Sequence, residues 1–100
     1  MRIDFDWDPA KAVSNAAKHG VTFEETMAVF GDPLARSILD QDSSPGEERW
    51  VTLGTTTSGN LLVVVHTWHD IDPDRVAVRI ISARRATTKE ARQYRDEPTA

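Results

Sequence analysis

The chain is 100 residues long, 39% hydrophobic and 28% charged, with a net charge of -4 and no cysteine. That composition fits one globular domain over residues 1–100 with a single small core. It excludes disulfides, thiolate catalysis and cysteine-based zinc sites, fits a reducing, cytoplasmic setting, and argues against indiscriminate coating of nucleic acid.

Ile3, Phe5 and Trp7 alternate with Asp4 and Asp6, the period of a half-buried strand. The opening MRIDFDWDP lacks the apolar stretch of a secretory signal, and the longest apolar run, residues 61–65, is too short to span a bilayer, so no membrane is expected. Asp8-Pro9 predicts a helix start, with the helix running to about His19 and stopped by Gly20. Thr22 and Glu25 form a capping-box pattern for a second helix reaching about Phe30, ended by Gly31-Asp32-Pro33. A short strand at 34–39, a polar turn at 40–46 and a strand at 48–55 follow. Ser58-Gly59-Asn60 reads as a hairpin turn into a near-continuous apolar strand at 61–67, then a turn at 69–74. The last strand spans 75–83, and Thr87 with Glu90 caps a helix to about Arg95, with Pro98 in a loose tail. The order β-α-α-β-β-β-β-α predicts an α+β domain, with two N-terminal helices and one C-terminal helix packed on an antiparallel sheet.

Seven of the twelve Lys and Arg fall between residues 75 and 95, with Glu90 as the only acid among them. A basic island on an acidic chain is a footprint for a phosphate-rich partner. On the last strand, alternation puts Arg75, Ala77, Arg79 and Ile81 on one face and Val76, Val78, Ile80 and Ser82 on a core face. Arg49 alternates with Trp50 and can lie beside Arg79. Arg84 and Arg85 precede a helix N-terminus, where an anion is favoured. Glu90 and Tyr94 share a helix face.

There is no P-loop, GxGxxG or Gly-x-Ser-x-Gly elbow, so nucleotide-driven chemistry and serine hydrolysis are unsupported. His66 and His69 lie near Asp70 and Asp72, but three residues apart on a strand they face opposite ways, so neither a metal nor a cofactor is expected. What fits is acid–base cleavage of RNA, in which the 2′-hydroxyl attacks the adjacent phosphate. Arginine clamps phosphate bidentately and stays charged; His, Glu or Tyr can move protons. Each candidate also has a plain structural reading. Glu90 caps a helix, Tyr94 packs, His66 is a satisfied core histidine, Arg79 pairs with an acid, and Lys18, His19, Arg92 and Arg95 sit at helix C-termini.

Three stretches carry a resemblance: FDWDPAKAVSNAAKHGVTFEE with Trp7, Asp8, Lys11, Asn15, Lys18, His19, Gly20, Val21, Phe23 and Glu24; GEERW followed by LLVVVHT; and RIISARRATTKEARQY. In this order they resemble the BrnT family of toxins from bacterial type II toxin–antitoxin systems, over nearly the whole chain. The resemblance implies a RelE-like fold, ribonuclease activity and a cognate BrnA-like antitoxin that blocks the toxin. It also implies an autorepressing complex that meets operator DNA only through the antitoxin. Carried over by position, it implies roles for Lys18, His19, Arg49, His66, Arg79, Ser82, Arg84, Arg85, Glu90 and Tyr94. Arg49, Arg79 and Arg84 are expected to contact phosphate. His66 is the expected proton carrier, backed by Tyr94 and Glu90. Lys18, His19, Arg85 and Lys89 are expected to bind RNA. One departure stands out: no Lys or Arg occurs between Arg49 and Arg75, where family members often carry one. The alternative expectation is a non-catalytic RNA- or protein-binding module, acting mainly as co-repressor with a DNA-binding antitoxin.

Overall fold

Asp8 starts the helical layer. It follows strand β1 (Arg2–Trp7), and its carboxylate accepts from the Ala10 amide at 2.9 Å, capping helix α1 (Pro9–His19). Gly20 ends α1 in the left-handed region at φ 68, its amide donating to the Ala16 carbonyl at 2.9 Å. Thr22 and Glu25 cap each other's backbone at the start of α2 (Phe23–Thr26), as the sequence predicts. α2 lasts one turn and tightens into a 3-10 helix, Met27–Gly31, where a single longer α-helix was expected. The structure is a computed structural model that describes residues 1–40 and 48–95; most of the turn expected at 40–46, and the Pro98 tail, lie outside them.

The remaining elements are β2 (Arg36–Asp40), β3 (Arg49–Thr55), β4 (Leu61–Thr67), β5 (His69–Asp72), β6 (Arg75–Arg85) and α3 (Thr88–Arg95). They form one six-stranded sheet in the order β1-β6-β4-β3-β2, with β5 also on β6. Two expectations are corrected here. The sheet is mixed, because β1 lies parallel to β6, with Arg2 opposite Arg75 and Trp7 opposite Ile80. The stretch read as a turn at 69–74 contains a sixth strand, with His69 opposite Ala77.

A third correction to the sheet sets the site. Val65 pairs with Ser82 but His66 pairs with Ile80, so Ile81 is an extra residue, a β-bulge. Beyond it the alternation reverses. Ala83, not Ser82, joins Val76, Val78 and Ile80 on the core face, and Ser82 turns outward. The core lies between this face and α1, α2 and the 3-10 helix. It is built on Val21, Phe23, Val29, Leu62 and Val64, with Ile3, Phe5, Trp7, Phe30 and Trp68 packed around them. Gly54 on β3 lets the 3-10 helix approach: a Cβ there would sit 2.8 Å from Val29 Cγ1 and 3.1 Å from the Ala35 Cβ. Among the described residues no helix is long and apolar enough to cross a membrane.

Candidate functional site

The face of the sheet opposite the helical layer is where the arginines gather. The register puts Arg79, Thr67 and Arg49 side by side across β6, β4 and β3, and the Arg79 amide donates to Thr67 Oγ1 at 3.2 Å. Arg49 and Arg79 therefore flank Thr67 with backbones about 10 Å apart. Because of the bulge, Ser82 and Arg84 share this face with Arg79. Arg84 lies about 15 Å from Arg79 along the strand. An extended run of polynucleotide can span both.

Arg75, Arg79 and Arg84 are each held by an acid. Arg79 donates to Asp6 at 3.0 Å and Arg75 to Asp4 at 2.9 Å, the acids being the outward half of the β1 alternation. The bonds from Arg75, then from Arg2, hold the Asp4 carboxyl below its ordinary value. The Arg79 and Asp6 side chains are 51% and 67% exposed, so solvent screens the pair and an incoming phosphate can displace it at little cost.

At the other end Arg84 grips Glu90 with two parallel bonds, Nη1 to Oε1 at 2.8 Å and Nη2 to Oε2 at 2.9 Å. Glu90 also accepts from the Thr87 amide at 2.8 Å while its own amide donates to Thr87 Oγ1, so it is the capping residue of α3 as well. Arg84 first, and then the Thr87 amide, bring the Glu90 carboxyl down to about 2, so it is ionised at neutral pH. Tyr94, one turn on, donates its hydroxyl to Asp32 Oδ2 at 2.5 Å, and the same oxygen accepts from the Thr55 amide and hydroxyl. Burial pushes the Asp32 carboxyl up, but the bonds from Tyr94, Thr55 and Leu34 outweigh it and bring it to about 2. Burial, then the bond to Asp32, raises the Tyr94 hydroxyl. Tyr94 is thus a neutral donor committed to Asp32, and the contact pins α3 to the end of the sheet.

His66 is not with them. It is on the core face, 1% exposed, with its ring edge-on to Phe30 at 4.8 Å. Nδ1 lies 2.9 Å from the Thr67 carbonyl, which can only accept, so Nδ1 carries the proton. Nε2 then accepts from the Thr52 hydroxyl at 2.6 Å, and Thr52 accepts from Ser37 at 2.7 Å. Burial lowers its pKa against the opposing Thr67 bond. The placement of His66 as proton carrier beside the arginines gives way to the plain reading: a neutral, fully bonded core histidine.

Lys18 and His19 are not among the arginines either; they line a cleft at the sheet edge between α1 and the bulge. Arg85 donates to Asn60 Oδ1 at 3.3 Å, and Lys89 is exposed on the first turn of α3. His69 is exposed on β5, and among the described residues no three His, Asp or Glu side chains gather as a metal-holding group. Two residues that organise the site escaped sequence reasoning. Asp32 reads as a helix stop, and its tie to Tyr94 spans most of the chain. Asn15 appeared only as one letter of a motif, and its partner is Ala83 on β6.

A family model described as "Ribonuclease toxin, BrnT, of type II toxin-antitoxin system" matches residues 7–90. A solved structure, the 1.1 Å crystal structure of the Brucella abortus ribonuclease toxin BrnT, superposes with a TM-score of 0.54 at 20% identity. The match covers 88% of this chain and 100% of the Brucella one, and it is evidence of shared fold. Among curated proteins nothing matches. The family match spans most of the chain, from the last residue of β1 through the arginine face to the Arg84–Glu90 pair, and on that basis the chain belongs to the BrnT family of ribonuclease toxins of type II toxin–antitoxin systems.

Proposed function

We propose that the chain is a metal-independent endoribonuclease that cuts RNA on the open sheet face of a RelE-like domain. In this reading a cognate BrnA-like antitoxin neutralises it, and the two form an autorepressing complex that touches operator DNA through the antitoxin. The observation that carries it is the alignment of Arg49, Arg79 and Arg84 on the sheet face opposite the helical layer, with α3 against that face at one end among the described residues.

RNA lies along β6. Arg49 and Arg79 hold phosphates at one end, and Arg84 holds the phosphate that is cut. That phosphate competes with Glu90 for Arg84 and frees the carboxylate. Glu90 is ionised and so accepts a proton rather than supplying one. It takes the proton of the 2′-hydroxyl as that oxygen attacks phosphorus. Arg84 stabilises the extra negative charge. The P–O bond to the 5′-oxygen breaks, that oxygen takes a proton from solvent, and a 2′,3′-cyclic phosphate remains. Tyr94 and Asp32 keep α3 in place, and His66 supports the sheet from behind.

Expression without an antitoxin tests the reading in cells. Growth should arrest with the wild-type protein and continue with Arg84→Ala or Arg79→Ala at equal expression. Arrest by all three would sink the assignment. One observation favours the non-catalytic alternative: among the described residues, Glu90 and Tyr94 are both already engaged. A co-repressor predicts no arrest in any strain, and normal operator binding by complexes carrying either substitution.

A further inference from the structure

We propose that the cleft between α1 and the β6 bulge is a second phosphate subsite, which holds an RNA phosphodiester outside the cutting site. This deepens the ribonuclease reading above and rests on it for the identity of the polymer.

The cleft exists because two strands differ in length. β1 ends at Trp7, opposite Ile80, while β6 runs on to Arg85. Among the described residues, no strand lies beside the β1-side edge of β6 beyond Ile80. α1 fills the place, and Asn15 bonds both backbone polar groups of Ala83. Between helix and bulge a space of about 200 Å³ remains, lined by Lys11, Ser14, Lys18, His19, Ile81 and Ser82 together with Asn15. Water's share of liquid volume is roughly 30 Å³, so the cleft has room for a hydrated phosphate group.

Its charged groups are all cations or potential cations, although Ile81 adds apolar lining and the Ser14 hydroxyl donates to the Lys11 carbonyl. Lys11 and Lys18 are two turns apart on one face of α1, with Ser14 between them. His19 and the outward-turned Ser82 complete the rim. Among the described residues no acid lines the cleft, and Lys11, Lys18 and His19 have no carboxylate within salt-bridge distance. Arg75, Arg79 and Arg84 all have one. The C-terminal dipole of α1 accounts for cations at Lys18 and His19 but not at Lys11, in the first turn. Ser82 ties the cleft to the arginine face. It lies two residues from Arg84 on the same side of β6, about 7 Å along the strand, so a strand leaving Arg84 can reach the cleft directly.

The test uses a 2′-O-methyl oligoribonucleotide, which binds but offers no nucleophile. Its affinity is measured from 50 to 300 mM salt for the wild type, Lys11→Gln/Lys18→Gln and Arg79→Ala, each checked for folding by its melting curve. Both lysines are exposed, so the double variant should fold. Loss of one phosphate contact predicts about tenfold weaker binding at low salt and a salt slope shallower by about 0.7. Inorganic phosphate should also shift the Ser82 amide resonance in the wild type and not in the double variant. An unchanged slope and affinity in the double variant would overturn the subsite, even where the wild type cuts ordinary RNA. So would a loss confined to antitoxin binding, or a response to inorganic phosphate without any change in RNA affinity. Weakened oligonucleotide binding with no cleavage of ordinary RNA by the wild type would leave the subsite standing and remove the enzyme reading.

Discussion

Asn15 holds Ala83 by both of its backbone polar groups: Nδ2 donates to the Ala83 carbonyl at 2.8 Å, and Oδ1 accepts from the Ala83 amide at 3.1 Å. The same Nδ2 donates to the Val21 carbonyl at 3.1 Å. One buried side chain thus stands in for the strand that β1 stops short of providing, next to the bulge that turns Ser82 and Arg84 outward.

Asn15→Ala leaves the Ala83 amide and two carbonyls without partners in the interior. Each orphaned group costs about 1–3 kcal/mol, and water entering the gap recovers part of it. The expected loss is about 3 kcal/mol, read as a lower urea midpoint with an unchanged slope. A loss under about 0.5 kcal/mol would show that the clamp is incidental.

Gly54→Ala forces a methyl group against Val29 Cγ1, on a stiff β-branched residue with no exposure. Overpacking of this kind costs about 1–3 kcal/mol. Val29→Ala, harmful alone, should relieve part of that cost, so a double-mutant cycle should give a favourable coupling. Additive losses would contradict the contact.

Acid stability should report the Tyr94–Asp32 bond. Asp32 and Glu90 titrate near 2 in the fold, below their ordinary 3.8 and 4.5. Folded values below unfolded ones mean stabilisation that is complete above about pH 5 and is lost as pH falls toward 2. Tyr94→Phe removes one donor from Asp32 and should cost about 1 kcal/mol at pH 7. The gap between the two proteins should close by pH 2. A gap independent of pH would mean that Tyr94 acts through packing alone.

His66 predicts a separate loss at higher pH. Burial holds it neutral in the fold, so its contribution is present above its unfolded value of 6.5 and falls as pH drops below it. Unfolding free energy should decline between pH 7 and 5, and His66→Gln should flatten that decline. An equal slope in both proteins would place the titrating group elsewhere.

The sequence shows most plainly what is local. Asp8, Thr22 and Thr87 cap helices through partners two or three residues away, so spacing reveals them. Arg79 among Val and Ile announces an outward cation. The bulge is hidden because Ile80 and Ile81 are both apolar, and Ser82-Ala83 suits either phase. The parallel pairing of β1 with β6, the Asp32–Tyr94 bond and the Asn15 clamp join residues more than sixty positions apart, and no period records them. β5 is masked by acids and a proline that read as turn. For His66 both readings were open, and only its bonds to Thr52 and Thr67 decide between them.

In the proposed reaction RNA is cut at Arg84 without a metal. The direct measurement is cleavage of a labelled single-stranded RNA by the free protein in excess EDTA, with Arg84→Ala and an all-deoxy strand of the same sequence alongside. Cleavage should survive EDTA, end in a 2′,3′-cyclic phosphate, fall about 100-fold or more in Arg84→Ala and be absent on the deoxy strand. Cleavage abolished by EDTA, cleavage of the deoxy strand, or an intact RNA beside a folded wild-type protein would contradict it.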